Sequence, residues 1–207
     1  MKVFFDTEFT GLHKDTTLIS IGLVSEYGDT FYAEITDYDK SQLNDWLVDN
    51  VVSKLKYIND PNKVYGFDKV IKGSDSEREV FATKRIVGIE LRNWLSNFNE
   101  DIALVTDVGH YDMVLLIDLM YASALEIPDY VSPTYIDLNQ EIMTYLKSKY
   151  GFNVSITASF HINREELLEE SFGVVMSCKD KHNALHDAQV IKQLYERIEE
   201  SKNENKR

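Results

Sequence analysis

Residues 4–12 read FFDTEFTGL, an apolar run carrying two acids, Asp6 and Glu8, one residue apart. Side chains two apart on a strand leave the same face. If residues 2–6 form a strand, both carboxylates enter one space at its C-terminal end, where α/β sheets tend to place ligands. Two anions so close repel, and the repulsion raises a pKa or demands a cation. Oxygen ligands of this kind suit a hard ion, Mg²⁺ or Mn²⁺. A solvated Asp-Thr-Glu turn accounts for the same letters without an ion.

The next stretches set these acids in a sheet. TLISIGLVS, residues 17–25, is nearly all apolar and reads as a buried central strand. TFYAEI, residues 30–35, alternates, with Phe31, Ala33 and Ile35 on one face and Tyr32 and Glu34 on the other. With a turn at 25–30, the three strands form an antiparallel meander. Residues 39–55 have helical spacing, placing Leu43, Trp46, Leu47, Asn50 and Val51 on one stripe behind a cap at Asp39 or Ser41. Residues 59–76 read as irregular, and residues 76–98 as one long amphipathic helix. A buried strand is expected at 101–108, helices from about Tyr111, over 136–151 (ended by Gly151), near 164–171 and over 183–200, and a fifth strand within 131–136 or 152–157. This order predicts an α/β domain with a mixed five-stranded sheet flanked by helices, spanning residues 1–200, and a frayed charged tail at 201–207.

Composition narrows the class. The chain has 207 residues, 43% hydrophobic and 28% charged, which suits one folded domain. The longest apolar stretch, 113–127, is broken by Asp118 and Glu126 and is too short to span a bilayer. The N-terminus does not read as a signal peptide, so an intracellular, cytoplasmic protein without membrane contact is expected. Cys178 is the only cysteine, which excludes internal disulfides and paired-cysteine zinc or redox sites and suggests a small core residue. A net charge of −13 argues against holding nucleic acid by bulk electrostatics. It is compatible with gripping a few phosphates through metal ions.

Two later stretches carry further chemistry. In TDVGHYDMVLL, residues 106–116, a strand ends, Gly109 turns the chain and Asp112 falls in the first helical turn. An acid there interacts well with the helix N-terminus and needs no ion to explain it. Asp107 competes with it for any role. In DKHNALHDAQ, residues 180–189, His182 precedes a helix and Asp187 lies one turn inside it. An inward Asp beside Ala184, Ala188 and Ile191 requires a partner. His186 should face another side of the helix and reads as a surface or structural residue. No P-loop, HExxH or GxSxG signature is present.

Taken in order, D-x-E on the first strand, an aromatic-Asp at a later strand-to-helix junction and H-x-x-x-x-D on the last helix resemble the DEDDh 3′–5′ exonucleases, which have an RNase H-like fold. FFDTEF, LISIGLVSE-G, VGHYD-V-L and H-AL-DA are similar to the polyadenylate-directed exoribonuclease AS group within that family. This chain is longer, with extra material near 59–85 and 150–180 that could wall the substrate groove.

The resemblance implies that Asp6, Glu8, Asp112 and Asp187 hold two divalent cations, Mg²⁺ or Mn²⁺, and that His182 deprotonates the attacking water. It implies release of nucleoside 5′-monophosphates from the 3′ end of single-stranded RNA. Thr7, Phe9, Leu12 and Tyr111 would hold the terminal nucleotide, with Phe9 or Leu12 wedged against its base and Tyr111 under the site. For Phe9, ordinary core packing stays open. A homodimer is plausible by the same resemblance. A DNA exonuclease would use the same residues, and an inactive RNase H-like binding module is the alternative of a different class.

Overall fold

The computed structural model describes residues 1–60, 68–121, 123–151 and 161–204. Seven strands form one mixed sheet: β1 (Lys2–Phe9), β2 (Leu18–Ser25), β3 (Thr30–Ile35), β4 (Lys69–Gly73), β5 (Glu77–Ala82), β6 (Ile102–Thr106) and β7 (Val131–Asp137). Their order is β4-β5-β3-β2-β1-β6-β7. The β1–β2–β3 meander is antiparallel as expected, whereas β6 runs parallel to β1 and β7 parallel to β6. The helices among the described residues are α1 (Asp45–Asn50), α2 (Lys84–Ser96), α3 (Gly109–Met120), α4 (Leu138–Tyr150), α5 (Arg164–Phe172) and α6 (Ala184–Glu204).

Strand periodicity divides the core in two. Val3 and Phe5 enter one apolar layer with Ile21, Leu23, Leu91, Trp94 and Leu116. Phe4 enters the other, with Ile142, Leu168, Ile191 and Leu194. Burial of these side chains, each worth roughly 1.5–3 kcal/mol, drives the layers together. Every residue of β2 is buried, which explains its unbroken apolar run. Gly22 in its middle faces the start of α6: a Cβ there would lie 2.3 Å from the Leu185 nitrogen and 2.4 Å from the Ala184 carbonyl. The missing side chain lets the helix entrance seat directly on the sheet.

Several expectations need correction. The sheet has seven strands rather than five among the described residues, because β4 and β5 extend it beyond β3. Residues 77–82, read as the start of a long helix, form β5, paired in parallel with β3 (Ala33 with Val80, Ile35 with Ala82). Val80 lies seven residues before Val87 and eleven before Leu91, so a strand residue fell on the helical period by coincidence. The helix starts only at Lys84, after Thr83. Part of the stretch read as irregular forms β4, whose five residues are all exposed. Helical structure within 39–55 is limited to α1 and two 3₁₀ turns at 40–42 and 52–54. Asn44 caps α1 by accepting from the Leu47 N–H at 2.9 Å, while Asp39 caps the first 3₁₀ turn. Trp46, placed on the inward stripe, is 54% exposed. Cys178 is exposed and not a core residue. The fifth strand expected within 131–136 is β7; its alternative at 152–157 lies outside the described residues.

Tyr32 and Glu34, which alternate away from the first core layer, are also buried, because residues 55–60 cover them. Glu34 accepts the N–H groups of Tyr57 and Ile58, each at 2.8 Å, and the Tyr32 hydroxyl at 3.0 Å. No helix among the described residues is long and apolar enough to cross a membrane.

Candidate active site

β1 runs on to Phe9, so Asp6 and Glu8 lie within the strand rather than beyond it, opposite Gly22 and Ser20 of β2. The register shifts between Glu8 and Phe9, which ends regular pairing at the mouth of a cavity of about 700 Å³. Asp6, Thr7, Glu8, Phe9 and Leu12 line that cavity, with His182 and Asp187 across from them.

The remaining acids arrive from two helices. Asp112, in the first turn of α3, is 1% exposed. It accepts the Thr7 hydroxyl at 2.5 Å and the Thr106 hydroxyl in a shorter contact. Asp187, in the first turn of α6, accepts the backbone N–H of His182 at 2.9 Å. That bond closes the entrance loop, and His182 itself holds a left-handed φ of 66°. Its Nδ1 lies 3.8 Å from Glu8 Oε1. Trp46 meets the imidazole edge-on, with ring centroids 5.2 Å apart.

Two groups of ligand atoms result, each within 4.8 Å of one another: Asp6, Asp107 and Asp112, and Glu8, His182 and Asp187. The four carboxylates and the histidine singled out in the sequence therefore come together from three separate segments, β1, the start of α3 and the entrance to α6. Asp107, weighed as a rival of Asp112, stands beside it instead. Sequence reasoning missed Arg164, whose guanidinium donates to Asp107 Oδ2 at 3.2 Å and Asn139 Oδ1 at 2.7 Å. It also missed the Trp46–His182 contact, since a helical Trp between apolar neighbours reads as core.

The substrate candidates divide. Phe9 and Tyr111 stack on each other, with centroids 5.3 Å apart and planes at 11°. Leu12 is 72% exposed at the cavity mouth. The Thr7 hydroxyl is committed to Asp112. His186 is not a surface residue: it is half-buried, and its Nε2 is buried without a hydrogen-bond partner. It lies close to Asp187 and to Glu165 of α5.

The electrostatics are those of a site short of positive charge. Burial, then the charges of Glu8, Asp187 and Asp112, hold the Asp6 carboxyl well above its ordinary range. Burial and the Asp187 charge do the same to Glu8. Asp112 is pushed up to about 7 by burial, against the Thr106 and Thr7 donors. Asp187 rises to about 7 by burial, against the His182 N–H. Burial raises Asp107 too, with Arg164 opposing it. Burial and then Lys181 lower the His182 imidazole. Asp6 Oδ2 is buried and accepts no hydrogen bond. Buried carboxylate oxygens without donors are costly, and a divalent cation is the partner whose chemistry fits an oxygen set of this kind. These acids could hold metal ions.

No family model matches the chain. Two 3′–5′ exoribonucleases of Mycobacterium tuberculosis, from strains CDC 1551 and H37Rv, are each 40% identical to it over 55 residues. The match covers 27% of this chain and 33% of each relative, so the chain spans about a third of the length of the curated relatives it matches. Among solved structures, the RNase domain of the yeast Pop2 protein aligns with 97% of this chain and 76% of its own, at a TM-score of 0.57 and 14% identity. The Pan2 catalytic unit of Neurospora crassa, with its protease and nuclease domains, aligns with 99% of this chain and 28% of its own, at a TM-score of 0.50 and 14% identity. The fold is thus the α/β, RNase H-like one expected from the sequence.

Proposed function

We propose that the protein is a metal-dependent 3′–5′ exoribonuclease of the DEDDh type, releasing nucleoside 5′-monophosphates from single-stranded RNA. The observation that carries this reading is that Asp6, Glu8, Asp187 and His182 line one cavity and Asp112 sits against Asp6 at its floor, with Asp6 Oδ2 buried and without a hydrogen-bond partner among the described residues. The fold likeness to nuclease domains and the similarity to two enzymes named 3′–5′ exoribonucleases support it.

In this reading Asp6 and Asp112 hold one divalent cation, and Glu8 and Asp187 a second. Bound Mg²⁺ or Mn²⁺ supplies Lewis-acid stabilisation of the charge that develops on a phosphodiester. The chain does the rest. The Asp187 bond to the His182 backbone fixes the imidazole's base, and Trp46 limits the ring's swing. Nδ1 faces Glu8, which leaves Nε2 to take the proton of the attacking water. Burial keeps the ring neutral near neutral pH, as a base requires. Leu12 stands exposed where it can wedge against a terminal base, and the Phe9–Tyr111 stack forms an apolar support. The acidic chain disfavours long duplexes, whose binding rests on many phosphate contacts.

The test is a time course on 5′-labelled single-stranded RNA and DNA with Mg²⁺, Mn²⁺ or EDTA, beside Asp6→Ala. A metal-dependent ladder shrinking from the 3′ end of RNA, absent in the variant, is expected. Cleavage of DNA alone would reassign the substrate, and no cleavage of either would leave a binding module.

A further inference from the structure

Asp187 belongs to a second group of ligand atoms. One atom each of Glu165, His186 and Asp187 lies within 4.8 Å of the other two. Glu165 is 4% exposed and lines the cavity, yet its carboxylate makes no hydrogen bond or ion pair with the described residues. A first-turn acid gains from the helix N-terminus without being buried, so position on α5 does not explain its burial. Its neighbour Arg164 is turned away to Asp107 and Asn139. Lys181 lines the same cavity but forms no hydrogen bond or ion pair with Glu165 or Asp187. On the other side, His186 Nε2 is buried with nothing to bond. A cavity-lining carboxylate and a buried imidazole nitrogen, each without a bonding partner among the described residues, thus flank one shared acid.

We propose that Glu165, His186 and Asp187 form an additional cation site that takes a nitrogen-accepting transition-metal ion. With metal–ligand bonds of about 2.1 Å, two ligand atoms on one ion stand at most about 4.2 Å apart, and the three atoms here lie within 4.8 Å of one another. One imidazole and two carboxylates favour Mn²⁺, Co²⁺ or Zn²⁺ over Mg²⁺, which prefers oxygen and water. The site shares Asp187 with the Glu8 and His182 group, so an ion behind competes for the carboxylate needed in front. The competition rests on the function proposed above; the binding does not.

The probe is Co²⁺, titrated calorimetrically into the full chain in excess Mg²⁺, for wild type, Glu165→Gln, His186→Ala and His182→Ala. The wild type is expected to bind Co²⁺ at a site that is weakened at least about tenfold in Glu165→Gln and His186→Ala. His182→Ala, which keeps the backbone N–H, is expected to retain it. Wild-type affinity in both folded Glu165→Gln and His186→Ala would overturn the proposal; circular dichroism establishes folding, and His186→Gln replaces any variant that fails. Zn²⁺ inhibition of RNA hydrolysis is the second arm. It is expected to need about tenfold more Zn²⁺ in His186→Ala, and equal inhibition would remove the competition. If the protein cleaves no RNA, the Co²⁺ result still decides the site.

Discussion

The Thr7 hydroxyl on β1 donates to Asp112 Oδ1 on α3 at 2.5 Å, across 105 residues of chain. It fixes the acid's orientation and stabilises its ionised form. Thr7→Val removes that donor and raises the Asp112 carboxyl further, so an ion must displace a proton more often. The Mn²⁺ concentration for half-maximal hydrolysis is expected to rise about tenfold at neutral pH, with much of the defect relieved at alkaline pH. Thr7→Ser should behave as wild type. A defect indifferent to pH would mean that Thr7 acts only through packing.

Burial pushes the Asp112 and Asp187 carboxyls up to about 7 in the fold, against 3.8 ordinarily. The folded chain therefore binds more protons than the unfolded one between those values. The sign follows: their contribution is fully present below about pH 4 and is lost as pH rises through about 7. The ion-free protein is expected to lose thermal stability over that window, with the slope reduced in Asp112→Asn and Asp187→Asn. Saturating Mg²⁺ or Mn²⁺ should flatten the profile. A slope unchanged in both variants would place its origin elsewhere.

Asp6→Asn should abolish hydrolysis and stabilise the ion-free fold. It replaces a carboxyl whose charge burial and the neighbouring acids disfavour with a neutral amide, which relieves like-charge repulsion worth on the order of 1 kcal/mol. For a chain of this size the melting temperature should rise by about 2–4 °C per kcal/mol. A lower melting temperature at neutral pH would show that the carboxylate has a role in holding the fold.

Gly22→Ala tests how the last helix is seated. The new methyl would collide with backbone at Ala184 and Leu185, not with a side chain that could yield. The expected cost is about 1–3 kcal/mol, and the helix entrance must retreat with His182 and Asp187. The rate of hydrolysis is expected to fall by about tenfold or more, beyond what unfolding explains. Wild-type melting and rate together would mean that the contact is not tight in solution.

The meander and the acids were legible because both rest on period-two spacing within a few residues. LISIGLVS could only be a strand covered on both faces. β5 was not legible, since its apolar residues fit the helix that follows, and only its pairing with β3 decides between them. The burial of Glu34 was not legible, because its partners are backbone N–H groups of a distant irregular segment. Arg164, Glu165 and Trp46 carry ordinary helix-surface or helix-core signatures, and tertiary packing alone turns them toward the cavity. For His186, read as surface or structural, the structure takes the second alternative: its helical face is shared with α5, whose placement no local pattern encodes.

His182 adopts a backbone conformation suited to glycine. For other residues that conformation costs on the order of 1–2 kcal/mol. A glycine at this turn would relax the entrance to α6 and make a sturdier protein with no imidazole. Natural variation that selects only for solubility or abundance should therefore drift toward His182→Gly, and the loss of chemistry would be accompanied by a gain in lifetime. At His182 the ease of the backbone and the proposed chemistry pull in opposite directions.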